Sequence, residues 1–181
     1  MSGLITVCIL LSVALLAGGY AISTYNRLIS EQNLADSQWS RMESILKEKC
    51  AVIPGLVDAA REGNVRETPM LKNVTGALDR YLRAAAPEDR VQAASELAAA
   101  MDRFFAVTDT YPALRSGLRF TKLKIGYERL ETGELRRTFN ETVLCYNRLV
   151  ETFPSSVVAR LLRFRLRPLF RSAGEEPPVR I

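Results

Sequence analysis

The sequence predicts an all-α chain in which an N-terminal transmembrane helix continues into an antiparallel four-helix bundle. Leu4 to Ile22, LITVCILLSVALLAGGYAI, is nineteen residues without a charge. As a helix it would rise about 28 Å, close to the hydrocarbon thickness of a bilayer. Beyond it Leu28, Ala35, Trp39, Met42, Leu46, Ile53 and Leu56 keep a step of three and four residues, with Gln32 and Lys49 at the two polar positions. That is one helix stripe facing a partner, in coiled-coil register. Valines and isoleucines fall within helical periods, and no Asn-Gly or Asp-Gly dipeptide marks a hairpin.

The first helix should be a single rod, because neither proline nor glycine lies between Ile22 and Val52. Pro54-Gly55 then leaves the Cys50 carbonyl without its helical partner, so a kink or restart is expected there. Gly63-Asn64 is the stop signal. A second helix is predicted from about Thr68 to Ala85, with Leu71, Val74, Leu78, Tyr81 and Leu82 on one face. Pro87 opens a third, with Glu88 and Asp89 at the positive end of its dipole. Its apolar positions are Val91, Leu97, Met101, Phe104, Phe105 and Val107, and Tyr111-Pro112 is its closing corner. A fourth is predicted from Pro112 to Phe153, with Glu131, Leu135, Phe139, Thr142, Tyr146, Leu149 and Phe153 on its stripe and Pro154 closing it. The organisation is then an anchor over residues 1–24, a bundle over 25–159, and a basic apolar segment with a flexible tail over 160–181.

One tetrapeptide, Tyr-Asn-Arg-Leu, occurs at Tyr25–Leu28 and again at Tyr146–Leu149. On the first and last helices, each copy would supply a ring to the seam and an amide able to bond across helices. Its arginine stem would lie along the flank. Asn26, Asn140 and Asn147 are read first as such a structural network and second as ligand contacts. Trp39, Tyr25, Phe139, Tyr146 and Phe153 are read as core, with partner contact the alternative for Trp39.

Charge and composition exclude several functions. Residues 23–156 carry 19 basic and 18 acidic side chains, so the body has no broad basic face for nucleic acid. The chain contains no histidine, which removes the usual general base and a common zinc ligand. Cys8, Cys50 and Cys145 show neither a disulfide framework nor metal-ligand spacing. Glu131 lies within the stripe of the last helix, where a carboxylate needs a partner such as Arg27, Arg136 or Arg137. One glutamate without histidine does not make a di-iron site. No catalytic residue, cofactor site or metal site is predicted.

Arg27 and Arg41 flank only the downstream end of the apolar run, which places the N-terminus outside and the body in the cytoplasm. An uncleaved single-pass anchor is preferred to a signal peptide, since no basic side chain precedes the run. At the other end, RLLRFRLRPLFR carries Arg160, Arg163, Arg165, Arg167 and Arg171 among apolar residues. It reads as a basic cap over the bundle's end or as a contact with anionic lipid headgroups.

Several motifs in order, YNRL…W…K…IPGLV, YPAL and E…FNETVLCYNRLVETFPSSVVA, resemble the LemA family of bacterial membrane proteins. They include Tyr25, Asn26, Trp39, Ile53, Pro54, Leu56, Tyr111, Pro112, Glu131, Asn140, Tyr146, Asn147, Phe153 and Pro154. The resemblance implies an N-terminal transmembrane helix with a short outward N-terminus, a helical bundle facing inward, and no known catalytic activity. The sequence departs from the family pattern in three places. Phe139 stands where tyrosine is usual, DAAREGNVRE replaces a region with Gly-Tyr and His-Glu, and RLRPLF stands where a glycine-aromatic turn and F-x-P-x-x-F are typical. The expectation is a non-enzymatic membrane protein whose bundle is an interaction or scaffolding module at the cytoplasmic face. The alternative is a ligand-sensing bundle facing the envelope. Expected partners are membrane lipid, a protein of unknown identity and a second copy of the chain, but not nucleic acid.

Overall fold

The computed structural model describes residues 2–63, 69–115, 117–130 and 132–171, and among them every regular element is a helix: α1 (Ser2–Glu62), α2 (Pro69–Arg83), α3 (Pro87–Thr108), α4 (Pro112–Arg115), α5 (Leu118–Arg129), α6 (Gly133–Glu151) and α7 (Ser155–Leu161). The chain divides into two compact units, Met1–Ser37 with Glu141–Arg167 and Gln38–Asn140 with Pro168–Ile181. Helices α1 and α6 contribute to both.

Along α1 the environment changes while the helix does not. Nothing in its most apolar 18-residue window is buried against the protein, which makes this stretch a candidate membrane span. From Thr24 the stripe turns inward: Thr24, Leu28, Ala35, Trp39, Met42, Leu46, Ile53 and Leu56 are all buried. Pro54 lies inside α1 and is exposed, and the helix does not restart there. A proline in a helix interior costs about 3 kcal/mol; burial of Ile53, Leu56 and Val57 around it opposes that cost. Gly55 has a packing reason, since a Cβ there would come within 3.3 Å of Leu123 on α5.

In the second unit α2 and α3 form a hairpin. Ala86 is extended, with φ −74° and ψ 142°, and Pro87 begins α3 with Glu88 and Asp89 in its first turn. Leu71, Val74, Ala77 and Tyr81 are the buried positions of α2. Leu82, expected on that face, is 67% exposed, because it stands about 100° around the helix from Tyr81. Arg80 on α2 donates to Glu96 on α3 at 2.9 Å. Arg90 joins α3 to α1 through Glu43 at 2.9 Å. Aromatic rings continue the core into α5: Phe104 lies 5.5 Å from Phe105 and 6.1 Å from Phe120 between centroids.

The expected fourth helix is interrupted. Gly117 is extended, with φ −74° and ψ 106°, ahead of α5, and Leu130 leaves helical geometry at φ −77° and ψ 75°. Gly133 opens α6. Glycines cost about 1 kcal/mol in a helix interior, and Gly117 and Gly133 fall at the interruptions.

In the first unit Leu28, Tyr146 and Ala159 form a buried cluster, against which Leu149, Val150 and Phe164 pack. The two copies of the tetrapeptide therefore meet: Leu28 comes from one, Tyr146 and Leu149 from the other. Tyr25 is 43% exposed and Phe153 79% exposed, contrary to the expectation that both are core. Phe153 belongs to the turn after α6, and Tyr25 sits at the edge of the cluster with its ring 6.3 Å from that of Phe164.

Truncation of Phe104, which is fully buried, is expected to cost about 3–5 kcal/mol. Leu82→Ala should stay within about 0.5 kcal/mol. Chemical denaturation of the full chain in detergent, followed by circular dichroism, measures both.

Candidate functional site

In each unit the residues after α7 are held by bonds between side chains and main chain. α7 closes with Arg163 N–H donating to the Arg160 carbonyl at 3.1 Å and Phe164 N–H to the Ala159 carbonyl at 2.9 Å. This double closure requires a left-handed residue, and Arg163 supplies it with φ 59°. From Phe164 to Arg171 the chain is neither helix nor strand, so its backbone groups need side-chain partners.

Helix α6 provides them. In the first unit the Asn147 amide donates to the Arg167 carbonyl at 2.9 Å and accepts from the Arg167 N–H at 2.9 Å. In the second unit Asn140 repeats this on Phe170, at 2.8 Å and 2.9 Å. Tyr146 Oη donates to the Arg165 carbonyl at 2.9 Å, and Arg171 N–H donates to Ser95 Oγ at 2.9 Å. Arg167 is turned inward, with two contacts to Asp36 at 2.6 Å and 3.3 Å and its guanidinium 5.7 Å from the Tyr146 ring. The asparagines thus hold main chain of the closing segment, where a cross-helix bond was expected.

The remaining motif residues are spread over both units. Asn26 is exposed. Trp39 is buried in the second unit with its ring 5.7 Å from Phe139, an apolar setting that gives a phenylalanine hydroxyl-free packing there. Ile53 and Leu56 are buried, Tyr111 is half-buried and Pro112 is exposed at the start of α4. Pro154 is exposed and follows a cis Phe153–Pro154 bond. Glu131 and the tail 172–181 lie outside the described residues. Arg160, Arg163, Arg165 and Arg171 are exposed. Asp36 and Ser95 were not legible as partners, since they lie 131 and 76 residues from the groups they bind.

A family model, the LemA family, matches residues 38–181. The chain belongs to the LemA family. No curated protein matches it. Within this LemA-family chain the matched region takes in Trp39, both α6 asparagines and the closing segment, while the first copy of the tetrapeptide lies upstream of it.

Elsewhere the second unit holds buried ionisable groups. Burial pushes the Cys50 thiol up to about 11. Burial, then the neighbouring Cys50 and Glu43, push Tyr81 up to about 12 against the opposing charge of Arg90. Tyr127 is raised by burial and then by Asp102, and Lys49 sits 4.6 Å over its ring. The Tyr81 hydroxyl has no hydrogen-bond partner among the described residues. An open groove of about 620 Å³ between α2 and α3 is lined by Met70, Asn73, Arg80, Glu96 and Arg103 among others. No group of three or more Cys, Asp or Glu side chains able to hold a metal ion is found among the described residues.

Asn147→Ala strips partners from both the N–H and the carbonyl of Arg167, and a loss of about 1–3 kcal/mol is expected. Limited proteolysis should then cleave faster between Arg163 and Arg171. Alkali supplies a second test. The folded chain keeps protons on Cys50 and Tyr81 after the unfolded chain releases them, so stability should fall as pH rises from 9 toward 12. Denaturation midpoints across that range should drop less in Cys50→Ala and Tyr81→Phe. Removing the unpartnered hydroxyl in Tyr81→Phe should also raise stability at neutral pH by about 1 kcal/mol.

Proposed function

We propose that this LemA-family chain is a non-enzymatic, single-pass bacterial membrane protein whose helical body is an interaction or scaffolding module at the cytoplasmic face. The observation that carries the reading is α1, which passes from an apolar stretch with nothing buried to a regularly buried stripe within one helix. An uninterrupted helix transmits position from bilayer to body, which suits holding a partner near a membrane. Arg27 and Arg41 at the downstream end favour the cytoplasmic side. The absence of histidine from the chain, and of any assembled nucleophile, base and orienting group among the described residues, favours binding over turnover. The partner is a protein, with self-association as one form of it.

Crosslinking in intact cells followed by purification from membranes should yield a reproducible complex of defined mass. A reporter fused after Ile181 should be active only in its cytosolic form. A body that acquires no partner, or a reporter active only outside the membrane, overturns the reading and favours a ligand-sensing body facing the envelope.

A further inference from the structure

The first unit leaves an apolar and basic surface uncovered beside the candidate anchor. Val157 and Leu161, four residues apart on α7, are 58% and 81% exposed, and Phe153 in the preceding turn is 79% exposed. Exposed apolar side chains grouped in this way mark a contact surface. Arg160, Arg163 and Arg165 are interleaved with them and exposed, whereas Arg167 is held by Asp36. Glu151 is the only acidic residue between positions 151 and 166.

The depth of this surface is fixed within the unit. Phe164 packs against Tyr25, and Ala159 shares a buried cluster with Leu28. Tyr25 and Leu28 lie three and six residues beyond Ile22, the last residue of the uncharged run. At about 1.5 Å per residue, that is roughly 4.5–9 Å past the run, comparable with one headgroup layer. A body facing water at this depth would gain nothing from exposed Phe153, Val157 and Leu161. The backbone adds an independent observation. Arg163 occupies a left-handed position with φ 59°, where glycine avoids the Cβ strain that arginine carries.

We propose that the corner formed by α7 and the following turn is a second membrane contact, seated in the anionic headgroup layer of the bilayer that α1 crosses. Val157 and Leu161 enter the acyl boundary, and Arg160, Arg163 and Arg165 bind lipid phosphates. Arginine matches phosphate through its fork of donors, and each cation near an anionic surface adds to the attraction. The proposal rests on α1 being membrane-embedded.

The test uses the full chain in nanodiscs, with Cys8→Ser and Cys145→Ser leaving only the buried Cys50. An environment-sensitive fluorophore is placed at Leu161→Cys or, in a separate protein, at Leu11→Cys. Lipids carrying nitroxides at shallow or deep positions report depth. The Leu161 probe should be quenched by shallow nitroxides, several-fold more in phosphatidylglycerol-containing discs than in phosphatidylcholine alone. Combined Arg160→Gln, Arg163→Gln and Arg165→Gln should reduce that quenching to the phosphatidylcholine level. Arg163→Gly should raise the denaturation midpoint while weakening the quenching, whereas a purely structural residue would change only the midpoint. An unquenched Leu161 probe beside a deeply quenched Leu11 probe overturns the corner contact and leaves the anchor standing. An unquenched Leu11 probe overturns the anchor and the depth argument together. Quenching equal in both lipids and unchanged by the arginine variants overturns headgroup binding. Shielding from aqueous iodide without lipid quenching identifies a protein occupant and also overturns the proposal.

Discussion

Helical continuity is the constraint on which the account of this chain depends. α1 is one hydrogen-bonded element from Ser2 to Glu62, so the residues before Thr24 and the buried stripe after it belong to the same helix. The sequence meets that demand simply, by placing neither proline nor glycine between Ile22 and Val52. Where a proline does occur, at Pro54, buried neighbours on both sides keep the helix intact through the missing bond. The same helix gives the first unit its Leu28 and the second its Trp39, so each unit's core includes a piece of it.

A second constraint is backbone satisfaction. The segment from Phe164 to Arg171 packs Phe170 into the second unit's core without forming a helix or strand, which would leave N–H and carbonyl groups unpaired. Asparagine is suited to this problem because one side chain offers both a donor and an acceptor in a plane. Alanine could fill the same helix position but would satisfy neither group. Asn147 does this for Arg167 in the first unit, and Asn140 does it for Phe170 in the second.

Much of the helical framework was legible because it follows from local rules. The stripe from Leu28 to Leu56 is a period, and the start of α3 is a proline followed by two acids. What escaped sequence reading depends on geometry between distant residues. The fourth helix is expected to run to Phe153 with Gly117, Gly126 and Gly133 as the breaks in its sequence, and interruptions fall beside the first and last of these while Gly126 stays within α5. Leu82 reads as part of the buried face by hydrophobicity, whereas Ala77 is the position buried there. Tyr25 and Phe153 fit the same period, but Tyr25 lies at the edge of the Leu28 cluster and Phe153 in the turn after α6, where neither ring is enclosed. The asparagines were recognised as structural, but their targets, carbonyls and amides twenty and thirty residues away, have no signature in composition or spacing. Ser95 and Asp36 carry no signal at all.

One unbroken helix, α1, joins the candidate membrane span to the folded body. Nitroxide scanning of every position from Leu4 to Leu46 in nanodiscs, with oxygen and a water-soluble nickel complex as relaxants, tests it most directly. The account predicts lipid-like accessibility through Ile22. It then predicts an oscillation with the helical period whose minima fall at Leu28, Ala35, Trp39, Met42 and Leu46. Aqueous accessibility throughout the first stretch, or a loss of helical phase between Ile22 and Ala35, would contradict it.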